Sequence, residues 1–261
     1  MSGYEGLLAG VPDEEKLALR HLLDLVARVE TAAQPAVSDF LDPGQAQWCR
    51  ERIFSLAGLN FRLYGGYPGA ERQRLIMAPA FFDAGMVDPN TGYVQIETGQ
   101  AAAGLTHRDF LGAVLGLGVR REKVGDLLVQ DNRCQAVVDR SLVAYLCGHL
   151  KLVGRSPARV RELSRDELDI PGQRSKEIRT TVASPRLDAI ASQGFGLSRS
   201  RMEREIKAEK VRVNWRVVNK PDYQVKAGEV ISCRGRGRIV VEEIGGVSRK
   251  NRLYVKIQRL M

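Results

Sequence analysis

The side chains able to do chemistry fall into a few groups. His107 and Asp109, in Thr106-His107-Arg108-Asp109, stand close enough to suggest acid–base work. Two such residues at a helix start make no site without a positioned nucleophile or metal. Thr106 and Asp109 also have the spacing of a capping box, which explains the segment structurally. Cys49, Cys134, Cys147 and Cys233 are separated by 85, 13 and 86 residues. That fits neither a dense disulfide framework nor paired metal ligands, so they read as reduced thiols, and no metal or cofactor is expected. Gly65-Gly66-Tyr67-Pro68-Gly69-Ala70-Glu71-Arg72 is rich enough in glycine to cradle a phosphate. It lacks the Lys-Ser/Thr of a P-loop and precedes a strand, which favours a plain hairpin turn. The cationic groups carry more. Ser198-Arg199-Ser200-Arg201 gathers hydroxyls, guanidiniums and free amides at one helix start, a natural phosphate contact. Arg234, Arg236 and Arg238, alternating with Gly235 and Gly237, form a ridge of three guanidiniums if the chain there is extended.

These cations are not spread evenly. The 261 residues include 40 Lys plus Arg and 31 Asp plus Glu, a net charge of +9. Residues 183–261 hold 18 of the basic residues and 8 of the acidic ones, a local +10, which leaves −1 for the first 182. One module therefore supplies the electrostatic contact, with nucleic acid or an anionic membrane surface as the partner class. With 44% apolar and 27% charged residues the chain should fold into two or three domains rather than stay disordered. The start, Met1 to Lys16, has neither a basic leader nor an Arg-rich, acid-poor pattern. No apolar run approaches the roughly 20 residues of a membrane span. A soluble, cytoplasmic protein without membrane insertion is expected, as a monomer.

The elements that must position these residues follow from periodicity. Leu17 to Val26 recur at helical spacing within Glu14 to Glu30, and Asp42-Pro43 starts a second helix running to about Leu56. Phe61 to Tyr64 and Arg74 to Met77 read as strands. From Tyr93 to Leu163 the order is strand, helix, strand, strand, helix, strand: Tyr93–Glu97, Thr106–Leu117, Gly125–Gln130, Cys134–Val138, Ser141–Leu150 and Arg159–Leu163. That βαββαβ order predicts a ferredoxin-like (RRM-like) domain, in which Tyr93 is the one ring available to a stacking platform. Arg108, Arg120, Arg121 and Lys123 lie around its first helix and offer a secondary RNA or ribosome contact.

Pro171 to Thr180 reads as a polar linker. Beyond it come a helix from Arg186 to Gln193, stopped by Gly194-Phe195-Gly196, and a second from Arg199 to Lys210 capped by Ser198. Val211, Val213 and Trp215 then alternate with Arg212, Asn214 and Arg216, predicting a strand with one buried and one cationic side. The fold class is α+β, with an N-terminal α/β domain over 1–85, the ferredoxin-like domain over 90–168 and a C-terminal module over 183–261.

Ser184-Pro185-Arg186-Leu187-Asp188, Leu197-Ser198-Arg199-Ser200, Lys210-Val211-Arg212-Val213-Asn214 and Lys226-Ala227-Gly228-Glu229-Val230-Ile231 resemble the S-four (S4) RNA-binding domain. Upstream, Phe40-Leu41-Asp42-Pro43, the glycine-rich Gly65 to Arg72, Leu105 to Gly112 and Gly125-Asp126 resemble the YlmH family and its cyanobacterial relative, the photosystem II S4 domain protein. The resemblance spans nearly the whole chain. It implies an αL motif gripping structured RNA through Arg186, Ser198, Arg199, Arg201, Lys207, Lys210, Arg212 and Asn214. It also implies a non-catalytic protein of the large ribosomal subunit in translation quality control, contacting rRNA or tRNA.

Rival classes are an RNA-modifying enzyme and a photosystem II assembly factor acting through protein contacts. S4 domains also accompany pseudouridine synthases, whose catalytic motif contains Arg-Leu-Asp, as do Arg186-Leu187-Asp188 here. The match falls at the start of the αL unit, with no second Arg-Leu-Asp in a larger catalytic domain. A methyltransferase would need a glycine-rich strand-to-helix turn, and none is evident. No enzymatic activity is expected.

Overall fold

The computed structural model describes residues 4–11, 13–99, 104–170, 175–248 and 251–260. It divides into two compact units, Met1–Ile170 and Pro171–Met261.

The first unit opens with α1 (Asp13–Ala32). Its buried residues Leu19, Leu22, Leu23, Val26 and Val29 form one stripe, the 3.6-residue periodicity of the sequence turned into packing. The stripe joins a core shared with an antiparallel sheet of order β1-β3-β2, where β1 is Ala36–Leu41, β2 Leu59–Tyr64 and β3 Gln73–Pro79. Strand β1 is absent from the sequence reading, because Ser38-Asp39 interrupts its apolar alternation. The pairing with β3 slips between Val37 and Phe40, and buried Ser38 serves the irregularity with its hydroxyl, which accepts the Leu75 N–H at 2.9 Å. Helix α2 (Pro43–Trp48) begins as predicted, with Asp42 and Gln45 capping each other at 2.9 Å. It then widens into a π turn over Cys49–Ile53 and does not continue to Leu56.

The second sheet follows in the same unit. Its elements are β4 (Thr91–Thr98), α3 (His107–Leu115), β5 (Val124–Gln130), β6 (Arg133–Asp139), α4 (Val143–His149), β7 (Leu152–Val153) and β8 (Ser156–Leu163). The strand order is β5-β6-β4-β8-β7, with every neighbouring pair antiparallel. Val94, Ile96, Cys134, Ala136 and Val138 face Phe110, Val114, Val143 and Leu146 from the helices. The alternate residues Tyr93, Val137 and Leu163 face the other way and cluster with Phe40 and Tyr67 of the N-terminal segment. The first sheet therefore packs on the helix-free face of the second.

The second unit is a six-stranded sheet of order β11-β10-β12-β13-β14-β9 under two helices. Its elements are β9 (Ser175–Val182), α5 (Leu187–Phe195), α6 (Arg199–Lys207), β10 (Val211–Val213), β11 (Arg216–Val217), β12 (Val230–Cys233), β13 (Gly237–Val247) and β14 (Leu253–Leu260). The predicted linker Pro171–Thr180 is corrected here. Residues 171–174 lie outside the described residues, and the remainder belongs to β9, paired along its whole length with β14. An edge strand with one face in water needs few apolar residues, and only Ile178 and Val182 marked this one. Trp215 is corrected too. With Asn214 it forms the turn between β10 and β11, at φ 65° and 45°, so the alternation stops at Val213.

Candidate nucleic-acid interface

The basic surplus lies in the second unit, and its two helices order the first group of cations. Leu187, Ile190, Ala191 and Phe195 bury one side of α5. Gly196 at φ 65° reverses the chain, and Ser198 caps α6, its hydroxyl accepting the Arg201 N–H at 3.4 Å. Met202 and Ile206 are fully buried, which turns Arg201, Arg204 and Lys207 to solvent. Lys207 is 2.7 Å from Glu203, an exposed pair of the weak kind.

At the start of α5 the buried carboxylate of Asp188, only 3% exposed, holds two arginines. Arg186 donates through Nε and Nη2, both at 3.1 Å. Arg199, the first residue of α6, donates through Nε at 3.0 Å and Nη2 at 3.3 Å. Burial alone raises the Asp188 pKa; the hydrogen bonds from Arg186 and then Arg199 reverse this and hold it below the usual carboxylate value. Both arginines still reach water, with side chains 34% and 55% exposed. Each keeps donors on the edge turned away from Asp188.

A second group lies on the opposite face of the sheet. Val211 and Val213 are buried, so Arg212 points outward. The register sets Arg212 beside Ser232 and Ser232 beside Arg238, a row across three strands. Arg212 and Arg238 are thus separated by the sheet from Arg186, Arg199 and Arg201.

Other candidates are engaged locally. The Asn214 amide donates to Glu229 at 3.4 Å and its oxygen accepts the Val230 N–H at 3.0 Å. Glu229 also accepts from the Tyr223 hydroxyl at 2.8 Å and the Lys226 N–H at 3.0 Å, so Asn214 anchors the Lys226–Val230 turn. Lys210 follows α6, whose end is Lys207, and its ammonium lies 2.9 Å from Glu205. The expected Arg-Gly ridge is corrected: Cys233 pairs with Gly237, and Gly235 and Gly237 take φ 77° and 87°, so Arg234 to Arg236 form a hairpin turn. A strand pairing fixed by residues beyond the motif overrode its extended reading.

In the first unit, Lys123 reaches Asp39 at 2.6 Å and Asp139 at 3.3 Å, and Arg120 lies 3.5 Å from Asp39. Arg121 donates back to the Val124 carbonyl, and burial, then the Arg72 charge, lowers its pKa to about 10. Arg108 is exposed. Asp109 accepts the Thr106 N–H and hydroxyl, both at 2.7 Å, as a cap. The glycine-rich loop does bind an anion, but an internal one. The Glu71 and Arg72 N–H groups and the Tyr67 hydroxyl donate to Asp126 at 2.7, 3.0 and 2.7 Å.

The face on which an RNA-recognition sheet stacks bases is covered by the chain itself. Tyr93 is buried, its hydroxyl donating to the Gly66 carbonyl at 3.0 Å. Gly66, at φ 96°, lies so close that an added Cβ would sit 2.8 Å from Val137 and 3.1 Å from the Tyr93 ring. Farther along, Gln135 donates to Gln95 at 3.0 Å and to the Glu167 carbonyl at 3.2 Å, and accepts the Asp169 N–H at 2.7 Å.

The sequence marks Arg204 on the outward helix face and leaves Asp188 as a clamp unmarked. Arg204 recurs with Arg201 and Lys207 every third residue, a signal that was present. The clamp had none, since it depends on how α5 and α6 close around Gly196.

Two helices presenting arginines over a basic sheet define an RNA-binding module of the S4 class, and an S4 domain model matches residues 185–231. Residues 14–81 match the model described as YlmH, N-terminal, and residues 88–167 that of the putative RNA-binding domain in YlmH. The chain belongs to the YlmH family. It is 29% identical over 247 residues to the ribosome-associated protein quality control protein P2 of Bacillus subtilis, covering 94% of this chain and 95% of that one. It is 25% identical over 137 residues to the small ribosomal subunit protein uS4 of Chromobacterium violaceum, across 50% of this chain and 58% of that one. A solved structure, the cell division protein ylmH from Streptococcus pneumoniae, superposes with a TM-score of 0.52 at 25% identity, over 61% of this chain and 96% of the other. None of these names refers to a photosystem or to tRNA.

Proposed function

We propose that this chain is a non-catalytic, cytoplasmic RNA-binding protein that docks as a monomer on structured RNA of the large ribosomal subunit, rRNA or the tRNA held there, in translation quality control. The observation that carries this reading is the α5/α6 surface, which presents Arg186 and Arg199 on Asp188 and exposes Arg201 and Arg204, in a module whose residues 183–261 carry a local charge of +10. The name of the Bacillus subtilis relative supports the ribosomal setting. Asp188 argues against the pseudouridine-synthase alternative, because both its oxygens are taken by guanidiniums. Three modules follow from the same reading: 1–85, a ferredoxin-like 90–168 suggested by its strand order, and 183–261 extended upstream to include β9. Of Arg108, Arg120, Arg121 and Lys123, the exposed Arg108 and the largely exposed Arg120 beside Asp39 are the candidates for a secondary contact outside the C-terminal module.

The test is co-sedimentation of the full chain with purified large and small subunits, alongside its affinity for a short RNA stem-loop at several salt concentrations. Arg201→Ala with Arg204→Ala should lower both and flatten the logarithmic salt dependence by about two units, one per lost phosphate contact. Preferential sedimentation with small subunits, or affinity unmoved by the double substitution, would reject the assignment.

A further inference from the structure

We propose that Asp188 is a positioning residue for RNA, holding Arg186 and Arg199 side by side as a preformed phosphate clamp; the inference rests on the RNA-binding reading above. Its charge is the first clue. A carboxylate on a face that meets polyanions repels them, and a buried carboxylate costs desolvation, so a neutral side chain would be cheaper on both counts. Asp188 is nonetheless buried and bonded to both arginines by four hydrogen bonds of 3.0–3.3 Å.

Geometry supplies the compensating gain. A free arginine loses rotamer freedom when it binds phosphate. Here Arg186, before α5, and Arg199, at the start of α6, spend Nε and one Nη on Asp188. A guanidinium carries five N–H donors in a rigid fork, so the outer edge of each stays available and is already aimed. The lysine pairs Lys207–Glu203 and Lys210–Glu205 are single contacts with no such fork. The ordering is done before RNA arrives, and binding is stronger by that amount.

The experiment compares full-length Asp188→Asn, Arg199→Lys, Arg186→Ala/Arg199→Ala and the triple variant, using a short RNA stem-loop as probe with thermal unfolding in parallel. Asp188→Asn makes the face more positive by one charge, so charge alone predicts tighter binding. Positioning predicts the opposite sign, a loss of about tenfold. In the Arg186→Ala/Arg199→Ala background the same change should cause no further loss, because nothing remains to position. Arg199→Lys keeps the charge and removes the fork, so it should weaken binding as well, and it tests the idea even if Asp188→Asn unfolds. Unchanged or tighter binding by both single variants, or an equal loss from Asp188→Asn with and without the arginines, overturns the inference. If Arg186→Ala/Arg199→Ala itself binds like the parent, the RNA lies elsewhere and the reading of this face fails too.

Discussion

Arg74 is buried among groups that account for its charge. It pairs with the equally buried Asp139, donates through Nη1 to the carbonyls of Pro89 and Asn90 at 3.0 and 2.8 Å, and stacks 4.6 Å from the Phe40 ring centre. Arg74→Ala would remove the buried cationic partner of the Asp139 carboxylate and leave it Ser141 and Lys123, so the cost should stay below the about 3–5 kcal/mol of a buried charge left without partners; urea denaturation of the first unit measures it. Burial raises the Asp139 pKa, but the Ser141 hydroxyl and then Arg74 pull it well below its ordinary 3.8. The folded value is thus depressed, so this stabilisation is complete above 3.8 and is lost as the pH falls from there toward the folded value. The urea midpoint of the first unit should drop below about pH 4, and Arg74→Ala should shrink that drop; an acid-insensitive midpoint would contradict the pairing.

At the scale of elements, β9 makes the sharpest prediction. Its eight residues pair with β14 from Leu260↔Ser175 to Leu253↔Val182, and Val182 sits in the C-terminal core. A fragment beginning at residue 183 should be less stable than one beginning at 171 and prone to associate through the bared edge of β14, as seen by melting temperature and light scattering. Equal behaviour would make β9 dispensable. The same strand shows what the sequence revealed and what it hid. Helix α1, strands β2 and β3 and the alternation of β4, β5, β6 and β8 were legible because apolar residues recur at the period of the element, whereas the two-residue β7 is too short to show a period. Strand β1 was not, because a buried serine serves an irregular register, and β9 was not, because it lies at a sheet edge and is largely polar. For the interface, residue type was legible and placement was not. Arg186, Arg199 and Arg201 share the helix side, whereas Arg212 and Arg238 fell on the other face through strand pairings many residues away.

For the whole molecule, charge and packing divide the labour. The chain from 183 onward carries +10 and the rest −1, so salt sensitivity should follow the C-terminal unit. Arg108→Ala with Arg120→Ala should leave stem-loop affinity nearly unchanged while reducing large-subunit co-sedimentation, if that module makes a tethered second contact; a fall in both assays would mean a general role. The covered sheet face has a consequence of its own for dissection. Cutting out residues 88–167, the span matched as a putative RNA-binding domain, removes Phe40, Tyr67 and Asp169 and bares Tyr93, Val137, Leu163 and Gln135. That fragment would gain an open aromatic and amide platform which the parent lacks, and RNA retained on it would report a surface created by the scissors.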